Sequence, residues 1–240
     1  MNKTYICADI HGDLAGYKEL LNLIDFDDTD RMIIAGDVLD RGKYGIELLE
    51  LVLSQSNVSL LLGNHEMFAI MYLSGELSQD DWIRFGGQDT LSGILKMNQS
   101  QKDKLLHELC GLPLYTEIKS PVYGNTVVTH TGIDLDNLVY VHDDVIDVKE
   151  SIKAGFERNT YNFMCGRDIH YAPTEILKRL NQYIILGHVP TYYINDDYSC
   201  NAYRSDYYMD IDCGNGKKRN GGRICCYDVN DDIYIYCKQS

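Results

Sequence analysis

Near its start the chain carries three short apolar runs, Tyr5-Ile6-Cys7-Ala8, Met32-Ile33-Ile34-Ala35 and Ser59-Leu60-Leu61-Leu62. Each has strand length and no turn residues, and a Gly-containing turn follows each one. The pattern predicts strands at 3–9, 31–36 and 57–62, helices near 13–24 and 44–54, and a further helix from about 64. That is a βαβαβ unit with a parallel sheet. Residues 76–112 read mostly helical, broken at Gly86-Gly87 and amphipathic from Lys102 to Leu109, and are expected to cap one side of a cleft. Thr126-Val-Val-Thr129 and Tyr183-Ile-Ile-Leu186 are further strands, and a polar stretch between them leads to a helix-like segment at 174–181. Beyond about residue 200, Tyr, Cys, Ile and Val alternate with polar residues around Gly214-Asn-Gly216 and Gly221-Gly222, which predicts antiparallel strands. Two sheets packed face to face with helices outside accommodate both halves. Residues 1–240 show no repeat, low-complexity segment or linker, so one domain is expected.

The residues that end these strands carry chemistry. Asp9-Ile-His11-Gly12, Gly36-Asp37-Val-Leu-Asp40-Arg41-Gly42 and Gly63-Asn64-His65-Glu66 follow the first three runs; His130-Thr131-Gly132 and Gly187-His188 follow the later two. A parallel sheet gathers such motifs at the carboxyl ends of its strands, where open α/β sheets bind ligands. Asp9, His11, Asp37, Asn64, His130 and His188 suffice for two hard cations if Asp37 bridges them. Oxygen and imidazole donors suit Mn, Fe, Zn or Mg.

Composition narrows the field. With 45% hydrophobic residues, the 240-residue chain can bury a sizeable core. A formal net charge of -14 argues against binding a nucleic-acid duplex or an anionic membrane, which require clustered cations. An anionic substrate must therefore be attracted locally, by bound ions and a few arginines. No basic, apolar leader and no stretch of membrane-helix length stands out, so the cytoplasm is the expected compartment. The eight cysteines are scattered without a C-x-x-C, and adjacent Cys225 and Cys226 diverge if they lie on a strand, so reduced thiols are expected.

In order and form these motifs resemble the metallophosphoesterase superfamily, and the GD-x-x-DRG and GNHE forms resemble its phosphoprotein phosphatase branch, including small bacterial and phage-type serine/threonine phosphatases. Trp82, Gly86-Gly87 and Thr90-Leu91, then Leu109 and Leu112-Pro113-Leu114, and finally Asp210-Ile-Asp212-Cys-Gly214 and Gly221-Gly222 extend the likeness over nearly the whole chain. Two departures stand out. Leu62 occupies the place before GNHE where many protein phosphatases have a phosphate-binding Arg, and Phe163-Met-Cys-Gly-Arg167-Asp168 matches the family's W-x-R segment only loosely.

The resemblance implies a four-layer αββα sandwich with two mixed sheets. It also implies a binuclear centre, most naturally of manganese, with Asp9 and His11 on one ion, Asn64, His130 and His188 on the other, and Asp37 on both. Attack by a bridging hydroxide on a phosphate monoester would follow, with His65 protonating the leaving oxygen and Asp40 orienting it. Asp40 has an alternative as a structural partner of Arg41. Arg41, Arg167 and Asn64 are the candidates for contact with phosphate, while Glu66 reads as a structural acceptor. The basic run Lys217-Lys218-Arg219 is a candidate for selecting anionic substrates. A phosphoserine or phosphothreonine protein is the expected substrate. A dinucleoside polyphosphate, as cleaved by diadenosine tetraphosphatases, is the rival that Leu62 favours and Asp40-Arg41 disfavours. A non-catalytic phospho-binding module is a third reading, but it should have lost a ligand or the acid, and neither is missing.

Overall fold

The structure, a computed structural model, describes residues 2–142, 144–216 and 221–237. The three apolar runs form β1 (Thr4–Cys7), β2 (Arg31–Ile34) and β3 (Val58–Leu60), connected by α1 (Leu14–Leu23) and α2 (Gly45–Ser54) and followed by α3 (Asn64–Leu73). These strands pair in parallel, β1 with β2 and β2 with β3. Ile6, Ala8, Ile33, Ala35 and Leu61 face one side of the sheet, while Tyr5, Cys7, Met32 and Ile34 face the helices on the other. Both faces are thus covered, which is why the runs are continuously apolar rather than alternating.

Helices α4 (Gln79–Arg84), α5 (Gln88–Leu95) and α6 (Gln99–Cys110) follow, and then a hairpin of β4 (Tyr115–Ser120) and β5 (Gly124–Thr129). A small ribbon of β6 (Tyr140–His142) and β7 (Val145–Ile146) precedes α7 (Val148–Arg158), α8 (Thr160–Met164), α9 (Asp168–Tyr171) and α10 (Thr174–Leu177). The chain closes with β8 (Tyr183–Leu186), β9 (Tyr203–Arg204), β10 (Tyr208–Asp210), β11 (Cys225–Asp228) and β12 (Ile233–Tyr236). One mixed sheet has the order β12-β11-β1-β2-β3, the other β4-β5-β8-β10-β9. Val128, Ile185 and Met209 of the second sheet meet Ile6, Ile33 and Tyr227 of the first in one buried cluster. The helix–sheet–sheet–helix layering expected from the sequence is present.

Three details differ from expectation. The polar stretch after residue 130 contains an eleven-residue helix, α7, capped by the Asp147 side chain accepting from Glu150 N and burying Val148, Ile152 and Gly155. Its apolar stripe is one residue wide per turn among Lys and Glu, so average polarity conceals it. Helix α10 ends at Leu177, short of the expected 181. The final strands are not uniformly antiparallel, because β10 pairs with β8 in parallel. The eight cysteines are free thiols, with Cys225 turned to the sheet–sheet cluster and Cys226 to the other face.

Candidate metal centre

The strand ends converge because their loops are tied to one another. Asp9 N donates to Gly36 O (3.1 Å), His11 N to Asp37 O (2.9 Å) and Gly12 N to Val38 O (2.8 Å). The buried Glu66 carboxylate takes four backbone N–H groups, from Asp37, Val38, Leu39 and Gly63, at 2.8–3.1 Å. It is the structural acceptor the sequence suggested. His188 N donates to Asp9 Oδ2 (2.9 Å) and so joins the edges of the two sheets. Asp9, His11, Asp37, Asp40, Arg41 and His188 all adopt positive φ, between 50° and 75°. Such backbone costs on the order of 1–3 kcal/mol per non-glycine residue and concentrates where function requires it. Gly36 is obligatory for a related reason: at φ +86, a Cβ would lie 2.6 Å from His130 Nδ1.

Around Asp37, two donor clusters form. In the first, His130 Nδ1 donates to Ala35 O (2.7 Å), which leaves Nε2 of the neutral ring with only a lone pair. Burial pushes the His130 ring toward that neutral form. Its Nε2 nevertheless faces Asn64 Oδ1 at 2.9 Å and Asp37 Oδ1 at 3.4 Å, and His188 Nδ1 lies 2.9 Å from the same Asn64 oxygen. Burial and then the His130 ring lower the His188 pKa well below the usual histidine value. Acceptors directed at one another are unfavourable unless a cation lies between them, and a divalent ion converts these lone pairs into ligands. The residues present fit such an ion.

In the second cluster, His11 Nδ1 is committed to Leu39 O (3.1 Å), and Nε2 lies 3.7 Å from Asp9 Oδ1 and 3.8 Å from Asp37 Oδ2. Asp9 Oδ1 is buried without a hydrogen-bond partner among the described residues. Burial, then the Asp212 and Asp37 charges, raise the Asp9 pKa well above the carboxylate range. An unpaired buried oxygen in an anionic pocket is a site for positive charge. Arg41 supplies some, donating to His11 Nε2 (2.7 Å) and His65 Nε2 (3.0 Å). The sequence places Arg41 on phosphate; in the structure its guanidinium lies against His11, a candidate ligand. His65, expected to protonate the leaving oxygen, has its Nε2 3.8 Å from Asp37 Oδ2 and groups with His11 and Asp37.

His65 Nδ1 donates to Asp40 Oδ2 (2.7 Å), and the same oxygen accepts from Trp82 Nε1 (2.7 Å). Asp40 N donates to Thr90 Oγ1 (3.0 Å), and Arg41 N donates to Gly86 O (2.9 Å). The Trp82–Thr90 segment thus braces the Asp40-Arg41 turn rather than merely covering a cleft. The alternative pairing of Asp40 with Arg41 does not occur, because each is directed elsewhere. Reasoning from sequence also passed over Asn215, whose side chain donates to Ile10 O (2.7 Å) and pins the Asp9–Gly12 loop; its only signal was its place in a Gly-Asn-Gly turn.

Two cavities border the clusters. One, of about 740 Å³, begins at Thr131, next to His130, and at Gly166, next to the residue whose backbone bonds the His188 ring. The other, of about 290 Å³, is walled by His11, Arg41 and Tyr44. Arg167 is exposed between the cavity-lining Gly166 and Asp168. Lys217, Lys218 and Arg219 lie outside the described residues.

Two facing sheets bring their strand ends together so that Asp37 lies between two nests of histidine, carboxylate and amide groups, each of which could hold a metal ion. The chain belongs to the calcineurin-like phosphoesterase family, whose model matches residues 3–235. Members generally use a binuclear divalent metal centre. The chain is 33% identical over 131 residues to a symmetrical bis(5'-nucleosyl)-tetraphosphatase of Coxiella burnetii, and 31% identical over 134 residues to one of a Marinomonas species. Each match takes in 54% of this chain but only 42% and 44% of the relative, so the chain spans under half the length of these curated relatives. Among solved structures, a candidate diadenosine tetraphosphatase superposes with TM-score 0.61 at 14% identity, covering 100% of this chain and 94% of that one. A protein serine/threonine phosphatase of Saccharomyces cerevisiae gives 0.58 at 17%, covering 100% and 80%. At these identities the likeness is one of fold. Among the described residues no helix is long and apolar enough to cross a membrane.

Proposed function

We propose that this chain hydrolyses dinucleoside polyphosphates with two divalent ions, one held by Asp9, His11 and Asp37 and the other by Asp37, Asn64, His130 and His188. The observation that carries the metal reading is the convergence of His130 Nε2 and His188 Nδ1, each 2.9 Å from Asn64 Oδ1, with the His130 nitrogen left as an acceptor by its bond to Ala35 O. Two ions held by these residues would supply an activated water and neutralise phosphoryl oxygens during in-line attack. The residues do the rest. His65 keeps its Nδ1–H on Asp40 while Nε2 accepts from Arg41; once Arg41 turns to the anion, Nε2 takes up a proton from solvent water and passes it to the leaving oxygen. Arg41 reaches the phosphoryl oxygens from the same pocket, exchanging its histidine contacts for a forked contact with the anion. Manganese is the metal we expect.

The substrate differs from the first expectation, a phosphoprotein. The similarity to tetraphosphatases and Leu62 in place of an arginine favour the dinucleotide. Dephosphorylation of phosphoserine or phosphothreonine stands as the second reading, favoured by the Asp40–His65 pair with its adjoining Arg41. A panel with Mn(II) and a nitrophenyl phosphate, phosphopeptides and diadenosine tetraphosphate separates them. The first reading expects the highest kcat/KM for the tetraphosphate, with two nucleoside diphosphates as products. A preference for phosphopeptides would install the second.

A further inference from the structure

The cavity of about 740 Å³ beside His130 is large enough for a nucleoside, and its lining is richer in amides and carboxylates than in cations. Asn137, Asn159 and Asn162 contribute amides, Asp134, Asp136 and Asp168 carboxylates that outnumber the single guanidinium of Arg158, and Phe163 a buried apolar wall. We infer that this cavity receives one nucleoside end of the substrate, base against Phe163 and the asparagine amides, ribose hydroxyls toward the carboxylates. The inference rests on the dinucleotide reading and deepens it.

Chemistry selects the occupant. An amide offers a donor and an acceptor side by side, the pair that matches the edge of a purine base. Carboxylates accept from ribose hydroxyls, as in dinucleotide-binding folds. They also repel phosphate, so a polyphosphate chain stays over the metal clusters and the uncharged end enters the cavity. Asn162 is the residue best suited to discriminate: it is exposed on α8, lines the cavity, and among the described residues its side-chain amide is not committed to a hydrogen bond, while its backbone N–H donates to Asn159 Oδ1 (2.9 Å). The position of the cavity fits too, since Thr131 directly follows a candidate ligand. The smaller cavity beside His11, with half-exposed Tyr44 on its wall, borders the other cluster. Cleavage between the two ends of an elongated substrate follows from that arrangement.

The test uses adenosine, which carries no phosphate, as probe. In the Mn(II)-loaded full chain, adenosine should inhibit nitrophenyl phosphate hydrolysis and bind by calorimetry, and Asn162→Ala should weaken that binding about fivefold to tenfold, the loss of one or two neutral hydrogen bonds. Asn162→Asp, which replaces the amide donor by charge, should weaken it further. Diadenosine tetraphosphate hydrolysed with a KM that neither variant alters, together with no adenosine binding, would overturn the inference while leaving the proposed function intact. Adenosine binding lost in the variants of an enzyme that fails to cleave dinucleotides would support the pocket and refute that function. Basic phosphopeptides whose KM falls in Asn162→Asp would assign the cavity to cationic side chains and overturn it.

Discussion

His65 stands between a carboxylate and a guanidinium, with Nδ1 bound to Asp40 and Nε2 facing Arg41. If Nε2 delivers a proton to the leaving oxygen, His65→Asn should slow alkyl phosphates by roughly 10²–10⁴-fold and nitrophenyl phosphate much less, since nitrophenolate leaves unaided. Rates measured across a leaving-group series check this; an equal loss throughout would make His65 a ligand, a role that its distance from Asp37 also permits. Arg41→Ala should raise KM and lower kcat/KM by the loss of a charge-assisted contact, about 1.5–3 kcal/mol. Its metal content should not fall, because the variant removes a competing cation from beside His11; titration of Mn(II) into both proteins reads that directly. The histidines, aspartates and Asn64 were legible because each sits in a short motif at a strand end. Trp82 was visible only as a motif residue. Its bond to Asp40 joins positions 42 apart, and nothing in local spacing announces the partner. Trp82→Phe should leave Asp40 Oδ2 with one donor fewer and lower turnover while leaving phosphate binding largely unchanged, a split that steady-state kinetics would report.

At the scale of elements, the site depends on turns that hold strained backbone. Glu66 reaches from the first turn of α3 to the loop after β2, and Oε1 and Oε2 each accept two N–H groups. Glu66→Gln would put an amide donor against two of those donors. At about 1–3 kcal/mol for each buried group left unpaired, the variant should be destabilised by several kcal/mol, seen as a lowered midpoint in urea. A stable variant with normal activity would mean the loop is held by its backbone contacts alone. The βαβαβ half was readable because buried parallel strands are continuously apolar, and Gly and Asp mark their ends. Helix α7 escaped because its buried face, Val148, Ser151, Ile152 and Gly155, holds only two large apolar side chains amid charged neighbours. The parallel pairing of β10 with β8 escaped because alternation in a strand specifies its faces, not the direction of its neighbour.

For the whole molecule, the two sheets meet at a row of buried carboxylates: Asp9, Asp37, Asp210 and Asp212 are each at most 1% exposed. Negative charge gathered at this density is unfavourable even with His170 Nε2 facing Asp210 at 3.2 Å, so ions that bind the folded chain alone should stabilise it, by about 4 kcal/mol at a thousandfold excess over Kd. Calorimetry with and without chelator should show a Tm lowered by several degrees on metal removal; an unchanged Tm would mean that protonation, not metal, neutralises the row. Asp37 is the residue common to both clusters. The decisive measurement is therefore the number of Mn(II) ions retained per chain, by elemental analysis after reconstitution and desalting, in the wild type and in Asp37→Asn, with turnover recorded on the same samples. The account predicts two ions and activity in the wild type, and in the variant fewer than one ion with turnover lost. Full turnover in a sample that retains no metal would contradict it.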